Sequence, residues 1–207
     1  MAIPGGRDGL TATPVLDGIC PGAHVDTPVG EVPAERLREG DIVLLAGGGI
    51  GVIKWIGRID TPSRPPVLIA AAALNPRTPR RPLLVAPDQA ILVAPATAIP
   101  ARLLLNRSTL QMAGQTAPYL QIALRDGACF LVEGLAVRSA DAPADVVAEP
   151  GDRRPPITTA GPALAAAIAR LAGPETDFDA DRAARLAATL AAIEQIHRAQ
   201  IPPPCAA

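Results

Sequence analysis

The chain has 207 residues, 49% of them hydrophobic but only 2% aromatic, with a formal net charge of −1. That length holds one full hydrophobic core with a smaller appendage, or two small domains. A balance so close to neutral, with two Phe, one Tyr and one Trp, leaves neither a basic footprint for nucleic acid or an anionic membrane nor a surface on which bases would stack.

Residues 1–17 contain Pro4, Gly5, Gly6 and Pro14 with no hydrophobic period and read as a flexible arm. They lack a basic start and an apolar h-region, so no signal peptide is expected. No apolar run approaches the ~18 residues needed to span a bilayer, and a soluble, cytoplasmic chain is expected, with export by a non-classical route the alternative. Cys20, Cys129 and Cys205 are odd in number and widely spaced, which suits a reducing compartment better than a disulfide framework.

His24 to Asp26 predicts a short strand that turns at Thr27-Pro28-Val29-Gly30, where Pro presets φ and Gly permits a positive one, and returns at Glu31. Pro33 to Leu37 predicts one helical turn closed before Gly40. Asp41 to Leu45 and Ile50 to Ile59 predict strands joined by the loop Gly47-Gly48-Gly49. After the Pro-rich break at 61–66, further short strands are expected at 67–74, 83–85, 90–93, 99–105, 111–112, 119–124 and 129–132. Arg125-Asp126-Gly127 reads as a hairpin turn between the last two. Val43, Leu45, Ile53, Leu84, Leu103, Ile122 and Leu131 are the expected core. Many closely spaced short strands predict a mainly β domain over residues 18–139.

Composition then changes. Residues 140–161 read as a Pro-rich, charged linker. Pro162 opens a helix with Leu164, Ile168 and Leu171 on one face, and Gly173-Pro174 closes it. Asp177 or Asp179 caps a second helix to residue 200, with Leu186, Leu190, Ile193 and His197 on one face, before the tail 201–207. A helical hairpin over 162–200 is too small to hold a core alone. It is expected to dock on the β domain through Leu164, Ile168, Leu171, Leu186, Leu190 and Ile193, or on a second copy.

Several spaced pieces carry a family likeness: Thr27-Pro28-Val29-Gly30, Pro33, Leu37, Gly40-Asp41-Ile42-Val43 and Trp55-Ile56-Gly57-Arg58. Later come Arg81 to Asp88, Pro100 to Leu104 and Leu131 to Leu135. In this order they resemble the Hint domain of hedgehog proteins and inteins, in its stand-alone bacterial version, over roughly residues 18–139. The resemblance implies a curved β domain and descent from proteins that cleave their own chain. In that family a leading cysteine attacks the carbonyl before it to form a thioester, and a later histidine protonates the departing amide nitrogen. The resemblance places the nucleophile position at Gly18, two residues before Cys20, and the histidine position at Gln89. Glycine offers no nucleophile, and a glutamine amide carries no transferable proton at neutral pH.

Other candidates have plainer readings. Cys20 reads as a small residue where a strand begins, Cys129 as core, and His24 as a half-exposed strand histidine. Asp88 beside Pro87 reads as a turn residue, and Arg77, Arg80 and Arg81 as a solvated face. No Cys/His cluster has metal-ligand spacing, no glycine-rich loop joins a strand to a helix, and no cofactor is expected. Cys20 and Gln89 are thus vestigial site residues. Three functions stand: a non-catalytic Hint-fold binding or assembly module, an autoprotease acting through a thioester at Cys20, and an unrelated β-barrel interaction module. The partner is an unidentified protein or a second copy meeting the C-terminal helices, with neither nucleic acid nor membrane involved.

Overall fold

The computed structural model describes residues 15–143 and 155–172. The second predicted helix, with Leu186, Leu190, Ile193 and His197, lies outside the described residues. So do Cys205, residues 1–14 and residues 144–154 of the predicted linker.

The described chain is mainly β, and its first strands arise from local chemistry. β1 (His24–Thr27) and β2 (Gly30–Pro33) pair antiparallel around Pro28-Val29, with His24 opposite Pro33. The Thr27 hydroxyl closes this turn by donating to the Gly30 carbonyl. One 3-10 turn over Ala34–Arg36 comes next, and Gly40, at φ +92, leads into β3 (Ile42–Leu44). β4 (Ile50–Ile59) returns from β3 through Gly48 and Gly49, whose φ values of +85 and +86 suit glycine alone.

Long-range pairing sets the rest. β5 (Val67–Ile69) is flanked by β6 (Leu83–Val85) and β9 (Leu110–Met112), while β10 (Tyr119–Leu124) pairs with β4. A six-stranded sheet runs β2-β1-β11-β12-β7-β8, with β7 (Ala90–Ala94), β8 (Thr97–Pro100), β11 (Cys129–Val132) and β12 (Leu135–Arg138). Residues 18–20 then knit the two smaller sheets together. Ile19 exchanges hydrogen bonds of 2.9 and 2.8 Å with Leu120 on one side, and on the other the Cys20 N–H donates to the Leu84 carbonyl while the Gly18 carbonyl accepts from the Ala86 N–H.

Three expectations change. Arg125-Asp126-Gly127 does not make a β10–β11 hairpin, because β10 pairs with β4 and β11 with β1 and β12; the turn moves the chain between sheets. The strand expected over 99–105 ends at Pro100 and becomes a 3-10 turn. β12 was not foreseen, since Glu133-Gly134, both at positive φ, hides a two-residue hairpin behind an unusual first turn residue.

The main core gathers Val25, Val43, Ile53, Ile69, Ile91, Ile122 and Val137 among others, nearly all aliphatic. Val43, Ile53 and Ile122 are buried as expected, whereas Leu45, Leu84, Leu103 and Leu131 are half-buried. Helix α1 (Pro162–Ala172) lays Leu164, Ala167 and Leu171 against this core and leaves Ile168 41% exposed. No described helix is long and apolar enough to cross a membrane.

Candidate functional site

The strand-like segment 16–20 carries the first site residue into the middle of the molecule. Gly18 has φ +126, and a Cβ added there would stand 2.8 Å from the Leu120 carbonyl oxygen, 3.1 Å from its carbon and 3.2 Å from Tyr119 Cβ. Two of those atoms are backbone held by sheet pairing, so the position admits glycine alone.

Gln89 enters from the turn before β7 and is 3% exposed. Its Nε2 donates to the Ala90 carbonyl at 3.1 Å and the Arg138 carbonyl at 2.9 Å, and its Oε1 accepts the Gly18 N–H at 2.9 Å. The two carbonyl partners fix which end of the amide faces Gly18. Gln89 and Gly18 therefore meet, and the N–H of the Asp17–Gly18 peptide is held by a neutral amide oxygen.

Cys20 is not part of this meeting. It lies 2% exposed in a separate small cluster with Leu16, Ala86, Ala117 and Tyr119, and burial pushes its thiol up to about 12. Its backbone N–H is already spent on the Leu84 carbonyl at 2.9 Å. Cys129 sits in β11, where burial raises its thiol to about 11. A nucleophilic cysteine needs the opposite surroundings, cationic and partly exposed.

Sequence reasoning missed Asp17, Gln121 and Arg138, which complete the polar interior around Gly18. Gln121 on β10 donates to the Asp17 carboxyl. Burial raises the Asp17 pKa, against the lowering effects of Gln121 and Arg138. Arg138 Nε is buried without a hydrogen-bond partner among the described residues. A glutamine at an alternating position of a strand looks like any solvent-facing residue, so no local signal marks Gln121.

Asp88 does more than close a turn. Burial alone would raise its carboxyl, but Arg102, the Leu16 N–H and Arg64 together hold it below its ordinary value. Arg80 and Arg81 are likewise not merely solvated. They pair with Asp26, Glu31 and the buried Glu133, which also accepts from the His24 N–H at 2.9 Å and lies 3.1 Å from His24 Nδ1. His24 is thus tied to Glu133. The described residues contain no cluster of three His, Cys, Asp or Glu able to hold a metal ion.

Among solved structures the chain is similar to the bacterial intein-like domain from Clostridium thermocellum, at 11% identity and TM-score 0.46, covering 62% of this chain and 100% of that one. It is similar to the MchDnaB-1 intein at 12% identity and TM-score 0.44, covering 59% of this chain and 99% of that one. The gp41-1 intein gives 10% identity and TM-score 0.45, covering 60% and 98%. No curated protein matches the chain. The Hint domain family matches residues 18–142, from the glycine that faces Gln89 to just beyond the last strand, and the chain belongs to that family.

Proposed function

We propose that this protein is a Hint-fold binding or assembly module that no longer processes itself through a cysteine thioester. The observation that carries the reading is Gly18. Its positive φ and the Leu120 carbonyl in the path of a Cβ leave no room for a nucleophilic side chain at the start of the domain. Gln89 supports the same reading, since it keeps a 2.9 Å hydrogen bond to the Gly18 N–H but cannot protonate a leaving nitrogen. Loss of either member of such a pair costs orders of magnitude in rate, because the groups act as a unit. The alternative route through Cys20 has against it a thiol held near 12 by burial and a side chain packed among Leu16, Ala86, Ala117 and Tyr119.

The test is intact-mass spectrometry of the purified full-length chain with and without dithiothreitol, which would release a thioester between Ile19 and Cys20. One species at full mass is expected under both conditions. A fragment beginning at Cys20 that disappears in a Cys20→Ala variant would establish the autoprotease instead.

A further inference from the structure

The β3–β4 hairpin is apolar on both of its faces. Ile42 lies opposite Val52, Val43 opposite Gly51 and Leu44 opposite Ile50, so positions 42, 44, 50 and 52 share one face and 43, 51 and 53 the other. Val43 and Ile53 belong to the core, and a Cβ at Gly51 would stand 2.8 Å from Leu45 Cδ2 and 3.1 Å from Leu124 Cδ1, so theirs is the inner face. On the outer face Ile42 is 43% and Ile50 55% exposed, with Leu44 and Val52 half-buried beside them.

An antiparallel hairpin with one face in water alternates apolar with polar residues. β1 and β2 do so: Val25 and Val32 stand on one face, while the other carries His24, Asp26 and Glu31. The outer face of β3–β4 has no polar side chain at 42, 44, 50 or 52. A solitary exposed residue such as Val29 needs no account. Four adjacent aliphatic side chains form a patch of the kind that contact with another surface covers.

The border of the patch indicates which surface fits. Hydrogen bonds from Gly40 to Ile53, from Ile53 to Asp41 and from Arg125 to Val52 bring Arg38, Glu39, Asp41, Lys54, Arg125 and Asp126 to its Ile42–Val52 end. Three of these are cations and three carboxylates, and among the described residues none of the six forms an ion pair. Two copies related by a twofold axis bring the same border together. A border of one sign would then repel itself, whereas a balanced one with its charges unpaired is complementary to its own image.

We propose that the outer face of β3–β4 is a dimer interface through which this chain meets a second copy of itself, with Ile42, Leu44, Ile50 and Val52 at its centre. The proposal rests on the assembly-module reading, names its partner and puts the contact on the β domain. Four aliphatic side chains per copy make a small interface, so a weak dissociation constant of roughly 0.1 mM is expected.

Sedimentation velocity of the full-length chain at about 5–500 µM tests it. Over that range the wild type is expected to pass from monomer to dimer. Ile42→Lys/Ile50→Lys raises the dissociation constant at least about tenfold, whereas Val29→Lys, at a still more exposed residue outside the patch, leaves it unchanged. Lys54→Glu makes the border acidic and Glu39→Lys makes it basic. Each of these variants alone associates more weakly than the wild type, and the two mixed form a heterodimer, which only folded chains can do. A wild type that stays monomeric overturns the proposal, whether another part of the chain or a different protein covers the patch. A dimer that survives Ile42→Lys/Ile50→Lys, or a charge-reversed pair that fails to associate, overturns it too. Intact mass read on the same samples reports self-processing separately: a cleaved chain that dimerises refutes only the loss of processing, and a whole chain that stays monomeric refutes only the interface.

Discussion

Replacing Gly18 by alanine tests the argument on which the functional reading rests. Two costs arise together. Holding an L-residue at φ +126 costs about 1–3 kcal/mol in backbone strain. A methyl group 2.8 Å from the Leu120 carbonyl oxygen adds an overpacking cost of about 1–3 kcal/mol. Relief by moving the segment is not free, because Ile19 and Leu120 exchange two backbone hydrogen bonds of 2.9 and 2.8 Å across that contact, each worth ~1 kcal/mol net. A loss of about 3 kcal/mol is expected, which lowers Tm by about 10 °C for a domain of this size. Thermal melting followed by far-UV circular dichroism and by fluorescence of Trp55, the single tryptophan, measures it. Gly22→Ala is the control, since Gly22 has φ +88 but nothing within 4 Å of an added Cβ; it carries only the strain of about 1–2 kcal/mol. A Gly18→Ala variant that melts with the wild type, or no lower than Gly22→Ala, would refute the steric argument and reopen position 18 to a nucleophile.

The same interior sets further outcomes. In a Cys205→Ala background, Ellman's reagent at pH 8 should find no thiol in the native chain and two after denaturation, because a thiol held near 12 is ionised only to about one part in ten thousand. Gln89→Leu leaves the Gly18 N–H and the Ala90 and Arg138 carbonyls without their partner, so the urea midpoint should fall by the equivalent of about 3 kcal/mol. Gln89→His should yield no cleavage product by mass, since position 18 still lacks a nucleophile. Burial raises the Asp17 pKa in the folded state, so the stability linked to its protonated form is complete below its ordinary value and is lost as pH rises through the raised one. Asp17→Asn should therefore stabilise the protein at pH 7 and make little difference at pH 3. A wild-type advantage at pH 7 in chemical denaturation would show that the buried carboxylate is instead well paired.

Local chemistry alone makes several pieces legible in the sequence: the Thr27–Gly30 turn, the β3–β4 hairpin, the helix opened by Pro162, and the series of short strands. Each of these is decided within a few residues by φ preferences and side-chain alternation, which any window of the chain displays. Family likeness also put Gly18 and Gln89 in matching slots. Tertiary contacts determine what those slots can do. Gln89 reaches Gly18 across a separation of 71 residues, and the atom that forbids a side chain at position 18 is a carbonyl of β10, brought there by sheet pairing. The same holds for Asp17 and Gln121, for the sheet change at Arg125-Asp126-Gly127, and for Leu131, which the alternating pattern assigns to the core and the fold leaves half-buried. Alternation says that a strand has two faces; only the neighbours brought against each face determine which one is covered.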